Sequence, residues 1–194
     1  MQWGLVIKAV TISLAFTGTV VLATSDHFPE STDSSSLHLN GTGHHIRQPL
    51  SLCGQAKLKA YKVFTVGQGA LYRPDCAKSW QLNETEPKLM FFRYNREIPG
   101  HAFAESAEAI LQRNIELNAG ELAILDAFHK HYRDIGEGDT YTISYSPDAG
   151  LRLYLNDNLL GKLVQQPLAH QYFSIWLGEK PFDEKLKTRL LGDG

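Results

Sequence analysis

Between Thr140 and Val164 the chain reads as three strands joined by two tight turns, and this stretch restricts the fold more than any other. Tyr141, Ile143 and Tyr145 alternate with Thr140, Thr142 and Ser144, the pattern of a strand with one packed face and one wet face. Pro147-Asp148-Ala149-Gly150 turns the chain, and Leu151, Leu153 and Leu155 alternate along the next strand. Asn156-Asp157-Asn158 turns it again, because Asn and Asp tolerate left-handed backbone. Leu159–Val164 is the third strand. An antiparallel meander with one apolar face needs a second layer to cover that face.

The rest of the chain supplies that layer and more sheet. Leu50 to Tyr72 is rich in strand formers (Tyr61, Val63, Phe64, Val66, Leu71, Tyr72), and Gly67-Gln68-Gly69 predicts a bulge or bend within it. Lys88 to Tyr94 is a further short strand. A helix follows from Ala102, with Phe103, Ala107, Ile110 and Leu111 on one face and Glu105, Ser106, Glu108, Gln112 and Arg113 on the other. A second helix opens at Asn118 with Glu121 three residues on, a capping box, and buries Leu122, Leu125, Phe128 and Tyr132. Helices over Leu168–Leu177 and Asp183–Leu191 end the chain. Strands in blocks with helices between the blocks predict an α+β fold, an antiparallel sheet covered by helices, in one domain over residues 50–192.

Two regions precede that domain. Residues 1–23 carry Lys8, no acid, an apolar run from Ala9 and the small-residue exit Val21-Leu22-Ala23, the parts of an export signal cleaved before Thr24. The apolar run is about 15 residues, short of the ~20 a spanning helix needs, so an uncleaved anchor is the rival reading and the one route to a membrane. The protein is then periplasmic or secreted. Residues 24–49 are rich in Ser, Thr, Asp, His and Gly without a period, and read as a flexible linker. A formal charge of -2 gives no basic stripe for nucleic acid.

Most site chemistry lacks its residues. No G-x-S-x-G, H-E-x-x-H or phosphate-loop pattern occurs. His129 and His131 lie two apart on a helix and cannot hold one ion from one face, so they and His101 read as surface histidines. His38, His44 and His45 read as part of a solvated tail, and no metal site is expected. Cys53 and Cys76 bracket the first strand-rich segment. In an exported chain they read as a disulfide in preference to two free thiols, adding about 3 kcal/mol in the chain-entropy model.

The C-terminal half carries a resemblance. Gly138-Asp139-Thr140-Tyr141 leads into the meander, and Ser174-Ile175-Trp176-Leu177-Gly178-Glu179-Lys180-Pro181-Phe182 follows it. Together they are similar to the bacterial chalcone-isomerase-like proteins, whose domains end in a comparable motif. That resemblance covers about residues 50–192. It implies an open-faced sandwich, a large antiparallel β-sheet covered by a layer of α-helices, with an apolar cleft between them and no cofactor. In the plant isomerases of this family an arginine, a threonine, a tyrosine, an asparagine and a late Ser/Thr act on the substrate. Aligned here, the arginine falls on Lys59 and the threonine near Thr65. The tyrosine and asparagine fall on Phe103 and Ile110, and the late position on Ile175. Lysine keeps the charge but loses the bidentate fork, and Phe103 and Ile110 offer no side-chain hydrogen bond.

The resemblance therefore implies a non-catalytic binder of a small apolar or amphipathic ligand, fatty-acid-like, with Lys59, Thr65, Phe103, Ile110 and Ile175 around it. The alternatives are an intramolecular lyase on a flavonoid-like or enone substrate, and a structural envelope protein using aromatics such as Trp80 or Tyr172. Convergence of Lys59, Thr65 and Tyr61 or Tyr72 on one pocket would favour the enzyme; a cleft filled by side chains would favour the structural reading.

Overall fold

The computed structural model describes Phe28, Ile46 and residues 49–60 and 64–193. Its strands are β1 (Ser51–Ala60), β2 (Phe64–Arg73), β3 (Lys88–Tyr94), β4 (Thr140–Ser146), β5 (Gly150–Leu155) and β6 (Asn158–Leu163). They form a single antiparallel sheet in the order β1-β2-β3-β4-β5-β6. The helices α1 (Gly100–Asn114) and α2 (Ala119–His129) lie between β3 and β4, and α3 (Leu168–Gln171), α4 (Ser174–Leu177) and α5 (Glu184–Leu190) follow the sheet. This is the antiparallel sheet with covering helices expected from the strand and helix pattern, and the open-faced sandwich that the resemblance implies.

Local chemistry accounts for the element ends. The capping box on α2 is complete: the Asn118 side chain accepts from the Gly120 and Glu121 amides at 2.9 and 3.0 Å, while Glu121 accepts from the Asn118 amide at 2.9 Å. The α2 helix stops at His129, so Tyr132 packs inward from the turn beyond it. Asn156 and Asp157 both take positive φ in the β5–β6 turn, and Asp183 caps α5 through the Leu186 amide at 2.8 Å. The helix expected over Leu168–Leu177 is two short turns, because around Tyr172–Phe173 the backbone bonds tighten to three-residue spacing, including Phe173 to His170 and Ile175 to Tyr172.

The irregularity expected at Gly67-Gln68-Gly69 lies one residue earlier. Leu58 pairs with Gly67 but Lys59 pairs with Thr65, which leaves Val66 as the extra residue. That bulge puts Val66 and Leu71, five residues apart, on the same face of the sheet. Gly67 itself is regular, and its missing side chain is what admits the β3 backbone: a Cβ there would meet the Arg93 carbonyl at 2.2 Å.

The two faces differ. The helix-covered face carries the main core, including Leu58, Phe92, Tyr141, Ile143 and Leu153. The opposite face carries a second buried cluster of Leu50, Ala70, Tyr72, Leu89, Phe91 and Phe28. Phe28 falls inside the stretch read as a coreless linker, yet it packs edge-on to Phe91 with ring centroids 5.6 Å apart. Residues 1–23, His38, His44 and His45 lie outside the described residues. The Cys53–Cys76 disulfide is present, with Cα atoms 5.0 Å apart.

Candidate functional site

Between the helix-covered face of the sheet and α1 lies a cavity of about 720 Å³, inside the roughly 300–1,000 Å³ range of small-molecule sites. Alternation along the strands builds its floor from Leu58 of β1, Val66 of β2, Phe92 and Tyr94 of β3, and Tyr141 and Ile143 of β4. Phe103, Ala107 and Ile110 form the α1 side, at the helical spacing that puts them on one stripe. Ile175 and Trp176 of α4 and Phe182 close one end.

The C-terminal motif holds that end in place. Asn114, in the last turn of α1, donates to the Ile110 and Lys180 carbonyls, both at 2.9 Å, and accepts from the Lys180 amide at 2.8 Å. Gly178 makes room for it, since a Cβ there would meet the Asn114 side-chain oxygen at 2.4 Å. The Phe182 amide then bonds the Ile175 carbonyl at 2.7 Å, which brings the Phe182 ring over the cavity.

Polar groups in the wall are few. The rim carries exposed Arg96, Glu97, Pro99 and Ser106, together with Phe64, which is 57% exposed. Three phenols stand further in. The Tyr141 hydroxyl accepts from the Arg133 amide and donates to the Arg133 carbonyl, both at 2.9 Å. The Tyr132 hydroxyl shares a hydrogen bond of 3.0 Å with Tyr172, which shares one of 3.1 Å with His129 Nε2. Tyr94 is 5% exposed, and among the described residues nothing hydrogen-bonds its hydroxyl. Burial raises all three phenols above their ordinary range, so they remain protonated donors at neutral pH. No histidine or lysine stands in the wall among the described residues.

The residues singled out from the sequence divide cleanly. Phe103, Ile110 and Ile175 line the cavity. Lys59 is exposed and Thr65 half-buried, and neither is in the wall. The reason is the pleat: Leu58 faces in, so Lys59 faces out, and its partner Thr65 shares that outer side. Tyr72 is buried in the opposite-face cluster, and Tyr61 lies outside the described residues. Tyr172, read as an exposed aromatic, is fully buried, while Trp80 is half-buried against the core. His129, read as a surface histidine, is 6% exposed and bonded to Tyr172. His101 is exposed and His131 half-buried. Among the described residues no group of three potential ligands could hold a metal ion. Sequence reasoning missed Tyr94 and Arg96. Met90, Phe92 and Tyr94 share one face by simple alternation, so the signal for Tyr94 was present.

Comparison with known proteins fits this geometry. A family model described as chalcone isomerase-like matches residues 27–192. A crystal structure described as a fatty-acid binding protein of Arabidopsis thaliana superposes with a TM-score of 0.56 at 16% identity, covering 74% of this chain and 87% of that one. No curated protein matches the sequence.

Proposed function

The chain belongs to the chalcone isomerase-like family, and on that footing we propose that it binds a small apolar or amphipathic ligand, fatty-acid-like, in the cavity between the sheet and α1. The observation that carries this reading is the distribution of polarity in the wall. Hydrocarbon and aromatic rings line the interior, while Arg96 stands exposed at the rim. An acyl chain in the interior gains about 25 cal/mol for each Å² removed from water. A carboxylate left at the rim keeps its hydration and meets a guanidinium. A relative of the same fold described as a fatty-acid binding protein supports this choice of ligand.

Ring closure of a chalcone is not expected. It needs donors that strengthen in the transition state, and losing one commonly costs about 10²–10³ in rate. Phe103 and Ile110 present hydrocarbon where the plant isomerases carry donors, and Lys59 points away from the cavity. Titration with a fluorescent fatty acid should saturate, and a cyclisation assay on chalcone should show no appreciable turnover. Absence of saturable binding would refute the binder reading, and turnover near that of a plant enzyme would replace it with the lyase.

We further propose that the protein is exported, its leader ending near Ala23, to the periplasm or the exterior. The Cys53–Cys76 disulfide supports an oxidising location.

A further inference from the structure

We infer that the Tyr94 hydroxyl binds a neutral oxygen carried part-way along the ligand's chain, a ketone or a hydroxyl, so that the cavity selects oxygenated acyl chains over plain ones. This inference rests on the cavity-binding reading above and deepens it.

Tyr94 differs from the other two phenols in the wall. Tyr132 is engaged by Tyr172 and Tyr141 by Arg133, whereas among the described residues no group meets the Tyr94 hydroxyl. Buried polar groups are rarely left without a partner, and an unmade bond costs about 1–3 kcal/mol. The Tyr94 hydroxyl is not sealed off in that way: it opens onto the cavity that Tyr94 lines, and its partner is whatever fills the cavity there. The surroundings then decide its charge. The rings of Phe103, Tyr141 and Phe92 stand 5.5, 6.1 and 6.3 Å from that of Tyr94. Arg96 is two residues further along the chain, in the bend that follows β3, and is exposed at the rim. A carboxylate among those rings, without a paired cation, would be strongly disfavoured. A neutral carbonyl or hydroxyl carries no such penalty and accepts the phenol's proton in a hydrogen bond. The two-point ligand is thus a carboxylate at Arg96 with a second, uncharged oxygen inside. The tyrosine from β3 supplies a donor that Phe103 and Ile110 on α1 do not.

The test is displacement of a fluorescent fatty acid from the full chain by octadecanoic acid and by a positional series of oxo-octadecanoic acids. At least one oxo isomer should bind about two- to tenfold more tightly than the plain acid, the worth of a net hydrogen bond. Tyr94→Phe keeps the ring and should bring that isomer to the plain acid's affinity. The infrared carbonyl stretch of the bound oxo acid gives a readout independent of any variant and should shift to lower frequency. Equal affinity across the whole series, a preference that survives Tyr94→Phe, or an unshifted carbonyl would each overturn the inference while plain-acid binding leaves the cavity reading standing. Failure of every acid to bind would overturn both.

Discussion

Replacing His129 by glutamine should flatten the acid side of the stability profile. His129 closes the last turn of α2 with its ring 6% exposed and its Nε2 3.1 Å from the Tyr172 hydroxyl. Burial disfavours the imidazolium and lowers its pKa from 6.5 to about 4, against the smaller opposing pull of Asp126. The unfolded chain therefore takes up a proton at this site as pH falls through 6.5, and the folded chain resists until about 4. Stability from this group is complete above pH 6.5 and is lost across the window from 6.5 to 4. Each factor of ten in proton affinity is worth about 1.4 kcal/mol, so the whole window withdraws about 3 kcal/mol, of which about 2 has gone by pH 5. For a domain of this size that is a fall in Tm of about 4–8 °C. Thermal unfolding of wild type and His129→Gln at pH 7 and pH 5 measures it. His170, also lowered by burial, contributes a fall of the same sign, and the difference between the two proteins isolates His129. Equal Tm shifts in both proteins would refute the reasoning.

Two further outcomes follow from buried and covalent features elsewhere. If the proposed export holds, intact-mass measurement of the protein from its native host should give a chain starting near Thr24 that gains two hydrogens on reduction, and reduction should lower stability by about 3 kcal/mol; a mass retaining Met1, or two free thiols before reduction, would contradict it. Lys88 is fully buried, donates to the Glu84 carbonyl at 2.7 Å and stands 5.2 Å from the centre of the Tyr145 ring, and burial lowers its pKa from 10.5 to about 8. Wild type should therefore gain about 2 kcal/mol between pH 7.5 and 9.5 as the unfolded chain's extra proton loses its advantage, and Lys88→Met should show no such slope in urea unfolding; equal slopes would sink the assignment.

Much of the architecture was legible because local and global preferences agree. The capping box at Asn118, the left-handed turn at Asn156-Asp157 and the alternation over Thr140–Tyr145 each depend on neighbours in sequence, and each is realised. What escaped depends on residues far apart in the chain. His129 is buried because Tyr172, 43 residues later, meets its ring. Phe28 is one apolar residue in a polar stretch, so no periodicity marks it, and its partner Phe91 lies on a strand of its own. The site divides along the same line. Phe103 and Ile110 stand on the cavity because a helical stripe fixes their direction, and Ile175 because the motif around Gly178 folds α4 against α1. Lys59 stands outside because aligning a residue type does not decide which side of a pleated strand it faces. The neighbouring Leu58 already takes the inner side.

Native mass spectrometry of the full chain with equimolar hexadecanoic acid tests whether the cavity is the binding site. Ala107 lies in the wall on the buried stripe of α1, so Ala107→Phe fills the space an acyl chain would take. Wild type should carry one acid per chain and a folded Ala107→Phe should carry none. No adduct on wild type, or an adduct that persists undiminished in Ala107→Phe, would contradict ligand binding between the sheet and α1.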